Sequence, residues 1–416
     1  MTQLTRCLFA TFFLLGGLLG YGQLRPEAFQ PGVLYLKIKN ESNLVLPTVD
    51  EILDREYPAE WVSLVESYGI TELTRSLRSL KTPVFDRVYR LRFDAWEKKE
   101  DLIEKISTLP YVEYAELLPF YQASLIPNDS LWSQQSNALE LIGAPDAWDL
   151  HTGGNTVVAV IDNAIELDHP DLSPNLWTNT GEIPNNGIDD DNNGYIDDIH
   201  GWDAANEDGN TTPPADNGNP LYTTFTHGTH VSGLAAAATD NDIGIASIGH
   251  STKIMAVKVT FDNAFLPLAI QTPLEGVAYA ISNDADVINM SFGGPGAFGS
   301  ILDSLMREAL RRNIILVAAA GNDGSMDESF PAALDGVLAV VMTDDVDLVN
   351  PLSNFGSWVD ICAPGTQRLS STSFGSYERQ TGTSMASPTV AGLLALMKSY
   401  QPGFPKEVYE YVMLQT

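Results

Sequence analysis

Three short segments supply an acid, a base and a hydroxyl in an order suited to nucleophilic catalysis. VAVIDNAIELDHPDL carries Asp162, HGTHVSG carries His227 and GTSMASP carries Ser384. A serine hydroxyl is a weak nucleophile at neutral pH. It needs a base within hydrogen-bond reach, and that base needs an acid to orient it. His227 would take the Ser384 proton, while Asp162 would hold the imidazole tautomer and stabilise the imidazolium. The oxyanion formed by attack needs donors. AAAGN (318–322) ends an apolar run in Gly321-Asn322, so the Asn322 amide is expected beside the Ser384 N–H at a helix start. Singly, Ser384 reads as an N-cap, Asp162 as a turn residue and His227 as a buried structural histidine. Four segments in one catalytic order favour the joint reading.

The flanking patterns say what must hold these residues. VVAVID, KIMAVKV (253–259), DVINMSFG (286–293), IILVAAAGN (314–322) and VLAVVMT (337–343) are near-continuous apolar runs. Such runs are buried on both faces, as in a parallel sheet. Helical stretches at 227–238, 268–283, 301–312 and 384–400 alternate with them. The fold class is therefore α/β over residues 136–416: a mostly parallel sheet flanked by helices on both faces.

Residues 23–122 read as a separate, small α+β domain. GVLYLKIKN (32–40) and RVYRLRFD (87–94) alternate as strands, WEKKEDLIEKISTL (96–109) has helical spacing, and YVEYAELLPFY (111–121) closes as a strand. This predicts an open-faced sheet with helices on one side. Residues 123–135 are a linker and the start of the next domain.

Residues 1–22 read as an export signal: Arg6, an apolar stretch LFATFFLLGGLLG, then Gly20-Tyr21-Gly22. The rival, a membrane anchor, wants roughly 20 apolar residues, and no later segment is apolar enough to span. Cys7 falls in the signal, so Cys362 would stand alone as a buried thiol without a disulfide. The formal net charge of −31 argues against nucleic acid or an anionic membrane as partner. The last residues, PKEVYEYVMLQT, stop inside an amphipathic helical pattern, so the sequence reads as a piece of a longer one.

NGIDDDNNGYIDD (186–198) is the densest acidic run. From Asp189, oxygen side chains fall at the first, third, fifth and ninth positions (Asp189, Asp191, Asn193, Asp197). Gly194 is sixth and Tyr195 seventh, where a backbone carbonyl serves. That is calcium-loop spacing, with Asp198 or Asp203 as a further ligand. The expected cofactor is structural Ca2+.

HGTHVSG, GTSMASP and AAAGN resemble the signatures of the subtilisin family, the subtilases, over roughly residues 127–416. By that resemblance Asp162 is the acid, His227 the base, Ser384 the nucleophile and Asn322 the oxyanion donor. The preceding unit is similar to the family's propeptide, which inhibits and chaperones its own enzyme, with PYVEYAELLP (110–119) as the matching part. The resemblance implies that Ser291, Phe292 and Gly293 form an edge that pairs with an extended substrate. Ala318 to Ala320, with Gly321, would wall the pocket for the residue before the cut. A small, uncharged wall favours a bulky apolar side chain over a basic one. The family reads Asp-Thr-Gly or Asp-Ser-Gly at the acid, whereas this chain has Asp162-Asn163-Ala164, which matters if that backbone needs positive φ.

The expectation is an exported or cell-surface, calcium-stabilised, monomeric serine endopeptidase of broad specificity. It would be made as a zymogen cut near 123–127 and act on proteins and peptides. The alternatives are a catalytically silent binding protein and an esterase. The esterase would need a G-x-S-x-G elbow and a different order of triad residues.

Overall fold

The structure, a computed structural model, describes residues 29–119, 126–214, 225–296 and 299–415, apart from 43, 47–48, 50–58, 78, 81, 83–84 and 86. The expected signal and part of the expected linker lie outside these residues. Two compact units divide the described chain, one within 19–123 and one within 124–416.

The first unit runs β1 (Phe29–Ile38), α1 (Ala59–Tyr68), β2 (Ile70–Arg75), β3 (Val88–Phe93), α2 (Lys99–Ser107) and β4 (Val112–Pro119). Its antiparallel sheet has the order β2-β3-β1-β4. Leu34, Leu36, Leu91 and Phe93 from the sheet bury against Trp61 and Leu64 of α1 and Leu102 and Ile106 of α2. The expected helix over 96–109 opens as a 3-10 turn at Trp96–Lys98. The sequence reading omitted α1, although Trp61, Leu64, Val65 and Tyr68 repeat with helical spacing and are all buried.

The second unit begins with α3 (Trp132–Leu141) and α4 (Ala144–Trp148). There follow β5 (Val157–Asp162), β6 (Gly201–Asp203), α5 (His227–Ala236), β7 (Lys253–Lys258), α6 (Pro273–Ser282) and β8 (Val287–Met290). The rest is α7 (Ser300–Arg311), β9 (Ile315–Ala319), β10 (Val337–Thr343), β11 (Ile361–Pro364), β12 (Arg368–Thr372), β13 (Ser376–Gln380), α8 (Thr383–Tyr400) and α9 (Lys406–Leu414). Seven strands pair in the order β11-β10-β9-β8-β5-β7-β6, and every pair is parallel. Strands β12 and β13 form a separate antiparallel pair.

The apolar runs are explained by burial on both faces. Val158 and Val160 pack toward α5 and α8, while Ala159 and Ile161 pack toward α6 and α7. Alternation along β9 does the same with Ile315 and Val317 on one side and Leu316 and Ala318 on the other. Small residues let the two central helices close on each other. A Cβ on Gly392 of α8 would lie 2.3 Å from the Ala235 carbonyl oxygen of α5. Cys362 is half-buried, not buried, because β11 is the outermost strand of its sheet.

The strand order reverses beside β5: β7 and β6 lie on one side, and β8 onward on the other. Open parallel sheets place ligand crevices outside the carboxyl ends of strands at such a switch point. Asp162 ends β5, Ser291 follows β8, and Gly321 lies two residues beyond β9.

Candidate active site

A cleft of about 880 Å³ opens at those strand ends, lined among others by Asp162, His227, Ser291, Asn322 and Ser384. His227 is the first residue of α5 and Ser384 the second of α8, so two helix N-termini converge on it. Their partial positive charge favours negative charge developing at the serine.

Asp162 is 1% exposed. Its Oδ1 accepts the His227 Nδ1–H at 2.8 Å and the Asn163 backbone N–H at 2.7 Å. A carboxylate can only accept, so the proton sits on Nδ1 and the Nε2 lone pair is left free to act as a base. Burial by itself would lower the His227 pKa, but the charge and hydrogen bond of Asp162 outweigh it, and the imidazole is pushed above its ordinary value. HGTHVSG offers two histidines, and the structure separates them. His230 is fully buried, with Nε2 between the carbonyls of Arg368 and Glu378, and burial drives its pKa down to about 3.

Gly228 follows His227 because the helix start sits directly on the acid's strand. A Cβ there would lie 2.4 Å from the Ala164 carbonyl oxygen and 2.8 Å from Asp162 Cβ. Ala164 itself is not at positive φ. Its methyl is buried with Phe225 and Ala264, so the family's glycine is dispensable for backbone conformation at this point.

The Ser384 hydroxyl donates to the Ser291 backbone carbonyl at 2.9 Å and makes no hydrogen bond to His227 in this rotamer. Ser291 is 3% exposed, and its own hydroxyl donates to the Ser384 carbonyl at 3.0 Å. Pro388 lies four residues after Ser384 inside α8 and has no N–H, so the Ser384 carbonyl lacks its helical partner and Ser291 supplies one. Asn289 Nδ2 donates to the Ser291 hydroxyl at 3.0 Å, and Ser387 lies 2.9 Å from it.

Asn322 Oδ1 accepts the Thr383 backbone N–H at 2.9 Å and its hydroxyl at 3.2 Å. Thr383 in turn accepts the Gly321 N–H at 3.0 Å. With Oδ1 held, Nδ2 is the end left to face the cleft that Asn322 lines. Gly321 has φ of 102°, a conformation that favours glycine, and a Cβ there would meet Asn354 Nδ2 at 2.5 Å.

All five residues expected to touch substrate, Ser291, Phe292, Gly293, Ala319 and Gly321, line the cleft. Ala318 and Ala320 do not; both are fully buried, and side-chain alternation along β9 turns Ala318 into the core opposite Ala319. The small, uncharged wall is thus represented by Ala319, and charge enters the cleft from outside the expected segment. Asp323, Asp327 and Glu328 line the same cleft, carried there by the loop after β9, whose course no strand pattern could supply. Leu268, Ala269 and Ile270 line it as well, and the expected helix over 268–283 begins only at Pro273, which suits a first helical position because it has no N–H to leave unpaired.

In the acidic loop, the carboxylates of Asp189 and Asp191 lie within 4.8 Å of each other and of Glu182. Glu182 precedes the motif and was missed. None of the three is ion-paired to a lysine or arginine among the described residues. Three hard oxygen donors without a cationic side chain fit a divalent cation. Gly194 has φ of 97°, as a sharp turn requires. The other expected ligands lie outside this cluster, though loop N–H groups bind the three as well: Glu182 accepts those of Asp190 and Asp197 at 2.8 and 3.0 Å, and Asp189 those of Asn193 and Gly194 at 3.1 and 2.9 Å. Asp197 accepts the N–H groups of Asn186 and Gly187 at 3.0 and 2.9 Å. Asn193 donates to Asp191 and Asp198 at 3.3 and 3.1 Å. Tyr195, expected to serve through its backbone carbonyl, packs its ring against Trp202 and Tyr279. Asp198 is buried on the Tyr279 hydroxyl at 2.8 Å, and Asp203 pairs with buried Lys258 at 2.7 Å.

Residues 153–416 match the model of the subtilase family. This chain belongs to the subtilase family. A thermophilic serine proteinase of Bacillus sp. (strain AK1) is 34% identical over 301 residues, covering 72% of this chain and 66% of that protein. An extracellular protease of Xanthomonas campestris pv. campestris is 36% identical over 326 residues, covering 73% of this chain and 54% of that protein. The chain thus spans under two thirds of the length of both. Among solved structures, a protease of Pseudoalteromonas arctica PAMC 21717 aligns with a TM-score of 0.56 at 28% identity, covering 70% of this chain and 92% of the other. The subtilase assignment accounts for the seven-stranded parallel sheet and its flanking helices.

Proposed function

We propose that this subtilase is an exported serine endopeptidase in which Ser384 is the nucleophile, His227 the base, Asp162 the orienting acid and Asn322 the oxyanion donor. The observation that carries the reading is the Asp162–His227 hydrogen bond at the mouth of the cleft that also holds Ser384 and Asn322. Ser384 Oγ attacks the peptide carbonyl carbon as His227 Nε2 takes its proton. Asn322 Nδ2 and the Ser384 N–H steady the oxyanion. Collapse breaks the C–N bond, and His227 hands its proton to the leaving amine. Water then repeats the sequence on the acyl-enzyme and frees the acid.

Substrate chain adds as a strand along Ser291, Phe292 and Gly293. The apolar lining at Leu268, Ile270, Phe292 and Ala319 supports a mild preference for apolar side chains. The carboxylates at 323–328 disfavour acidic ones and admit basic ones. Glu182, Asp189 and Asp191 hold a structural Ca2+, which adds stability to a fold without disulfides. The unit within 23–122 is the propeptide, an intramolecular inhibitor removed near 123–127, and the mature enzyme is a monomer. Export agrees with the extracellular naming of the Xanthomonas relative.

The deciding experiment measures casein hydrolysis and product mass over time for the chain from residue 23, as wild type and as Ser384→Ala. Loss of about 100 residues from the wild type alone, with caseinolysis falling on the order of 10⁶-fold in the variant, as known for loss of the subtilisin nucleophile, supports the reading. A folded wild type that neither matures nor cleaves casein overturns it.

A further inference from the structure

Asn163 stands where the family resemblance calls for threonine or serine, and its side chain is 1% exposed. Among the described residues the carboxamide reaches three segments. Oδ1 accepts the Ala164 N–H at 2.8 Å and the Gly228 N–H at 3.0 Å. Nδ2 donates to the Pro267 carbonyl at 3.1 Å. Gly228 directly follows His227, so one acceptor binds the acid's loop to the start of the base's helix. Pro267 directly precedes Leu268, which lines the cleft. That loop shows Phe265, Leu266 and Leu268 to solvent at 81%, 58% and 57% exposure, while Ala264 packs under it on Ala164. A hydroxyl carries a single oxygen and is shorter, so it cannot place an acceptor at Gly228 and a donor at Pro267 together.

We propose that Asn163 is a positioning residue that seats the N-terminus of α5, and so His227, against Asp162, and that its second arm anchors the apolar cleft loop 261–270 to the same point. The inference rests on the serine peptidase reading for its kinetic consequence, though not for its structural one. Loss of the Oδ1 arm loosens the His227–Asp162 contact and lowers turnover. Loss of the Nδ2 arm frees the loop and weakens binding of substrates long enough to reach Leu268, leaving short ones unaffected.

The test has one readout that needs no catalysis. In full-length Ser384→Ala protein, the His227 imidazole is titrated by NMR with and without Asn163→Ala, using His227→Gln to assign the resonance. The charged or titratable groups around it are Asp162 on β5, His230 on its own helix, and Asp323, Asp327 and Glu328 across the cleft. A downward shift of about one unit is expected as the Asp162 bond weakens, and an unmoved titration overturns the seating role. In the active background, Asn163→Thr retains an acceptor near Gly228. It is expected to keep kcat within about threefold on a short ester while raising KM several-fold for extended peptides only. Equal KM changes for short and long substrates overturn the loop anchor. If Asn163→Ala does not fold, Asn163→Val, which lacks the acceptor, is compared with the similarly shaped Asn163→Thr, which keeps one. His227 is expected to titrate about one unit lower in the valine variant than in the threonine variant, and equal titrations overturn the seating role. A wild type without peptidase activity defeats the functional reading, and the titration still decides the seating.

Discussion

Ser291 and Ser384 hold each other in both directions: the hydroxyl of each donates to the backbone carbonyl of the other, at 2.9 and 3.0 Å. In the proposed mechanism the first bond must break before attack, because the Ser384 hydroxyl has to turn from the Ser291 carbonyl toward His227. The second offsets what Pro388 removes from the helix. Ser291→Ala leaves the Ser384 carbonyl without a partner, and an unsatisfied buried acceptor costs about 1–3 kcal/mol. Chemical denaturation of that variant in the Ser384→Ala background is expected to show a loss in this range, and an unchanged midpoint would remove the argument.

With His227 as the proposed base, only its neutral form can accept the Ser384 proton, so kcat/KM is expected to rise with pH as the imidazole deprotonates. Asp162 holds the folded pKa above the ordinary value, so the acidic limb is expected above about 6.5. The stabilisation that goes with this shift is fully present below the unfolded pKa and fades as pH rises through the folded one. Asp162→Asn removes the cause. Its limb should fall to lower pH while turnover drops on the order of 10⁴-fold. A pH–rate profile of both proteins decides this.

In the proposed mechanism, Asn322→Ala removes a donor whose partner charge exists only in the transition state. Turnover is expected to fall roughly 10²–10³-fold, the loss known for the corresponding donor in subtilisin, with KM nearly constant. A change confined to KM would place Asn322 in ground-state binding instead.

Chelation should lower the unfolding temperature, because an ion bound only by the folded state contributes about 2.7 kcal/mol at a hundredfold excess over its dissociation constant. Differential scanning calorimetry with calcium and with EGTA measures the effect. Glu182→Gln and Asp191→Asn should each shrink the calcium-dependent part, whereas Asp197→Asn, whose carboxylate lies outside the cluster of Glu182, Asp189 and Asp191, should leave it in place.

A peptide library varied at the residue before the cut tests the cleft charge. Acidic residues should be the poorest substrates. Replacing Asp323 and Glu328 together with serine should narrow the gap by a few-fold, more at low salt than at high, because both groups are exposed and screened.

Much of the site was legible because local patterns encode it. The strand that ends in Asp162, the helix starts at His227 and Ser384, and the Gly321-Asn322 turn each follow from short-range sequence. Burial on both faces makes a parallel strand a continuous apolar run, so the sheet's members were visible one by one. The order in which they pair was not, because strand neighbours are chosen by long-range packing that no local period records. The same holds for Glu182, which joins Asp189 and Asp191 only after the chain turns back on itself.

The sequence by itself determined the candidate residues for the chemistry, their order, the α/β class and the acidic loop, since each rests on side-chain type and spacing over a few residues. Tertiary structure decided which of two histidines faces Asp162, that Asp197 caps a turn, that Ala318 is core where Ala319 is wall, and that three carboxylates reach the cleft. It also decided that the Ser384 hydroxyl rests on Ser291. These outcomes depend on where distant segments meet, and contacts between residues far apart in the chain are set by packing of the whole sheet and its helices, not by any window of sequence.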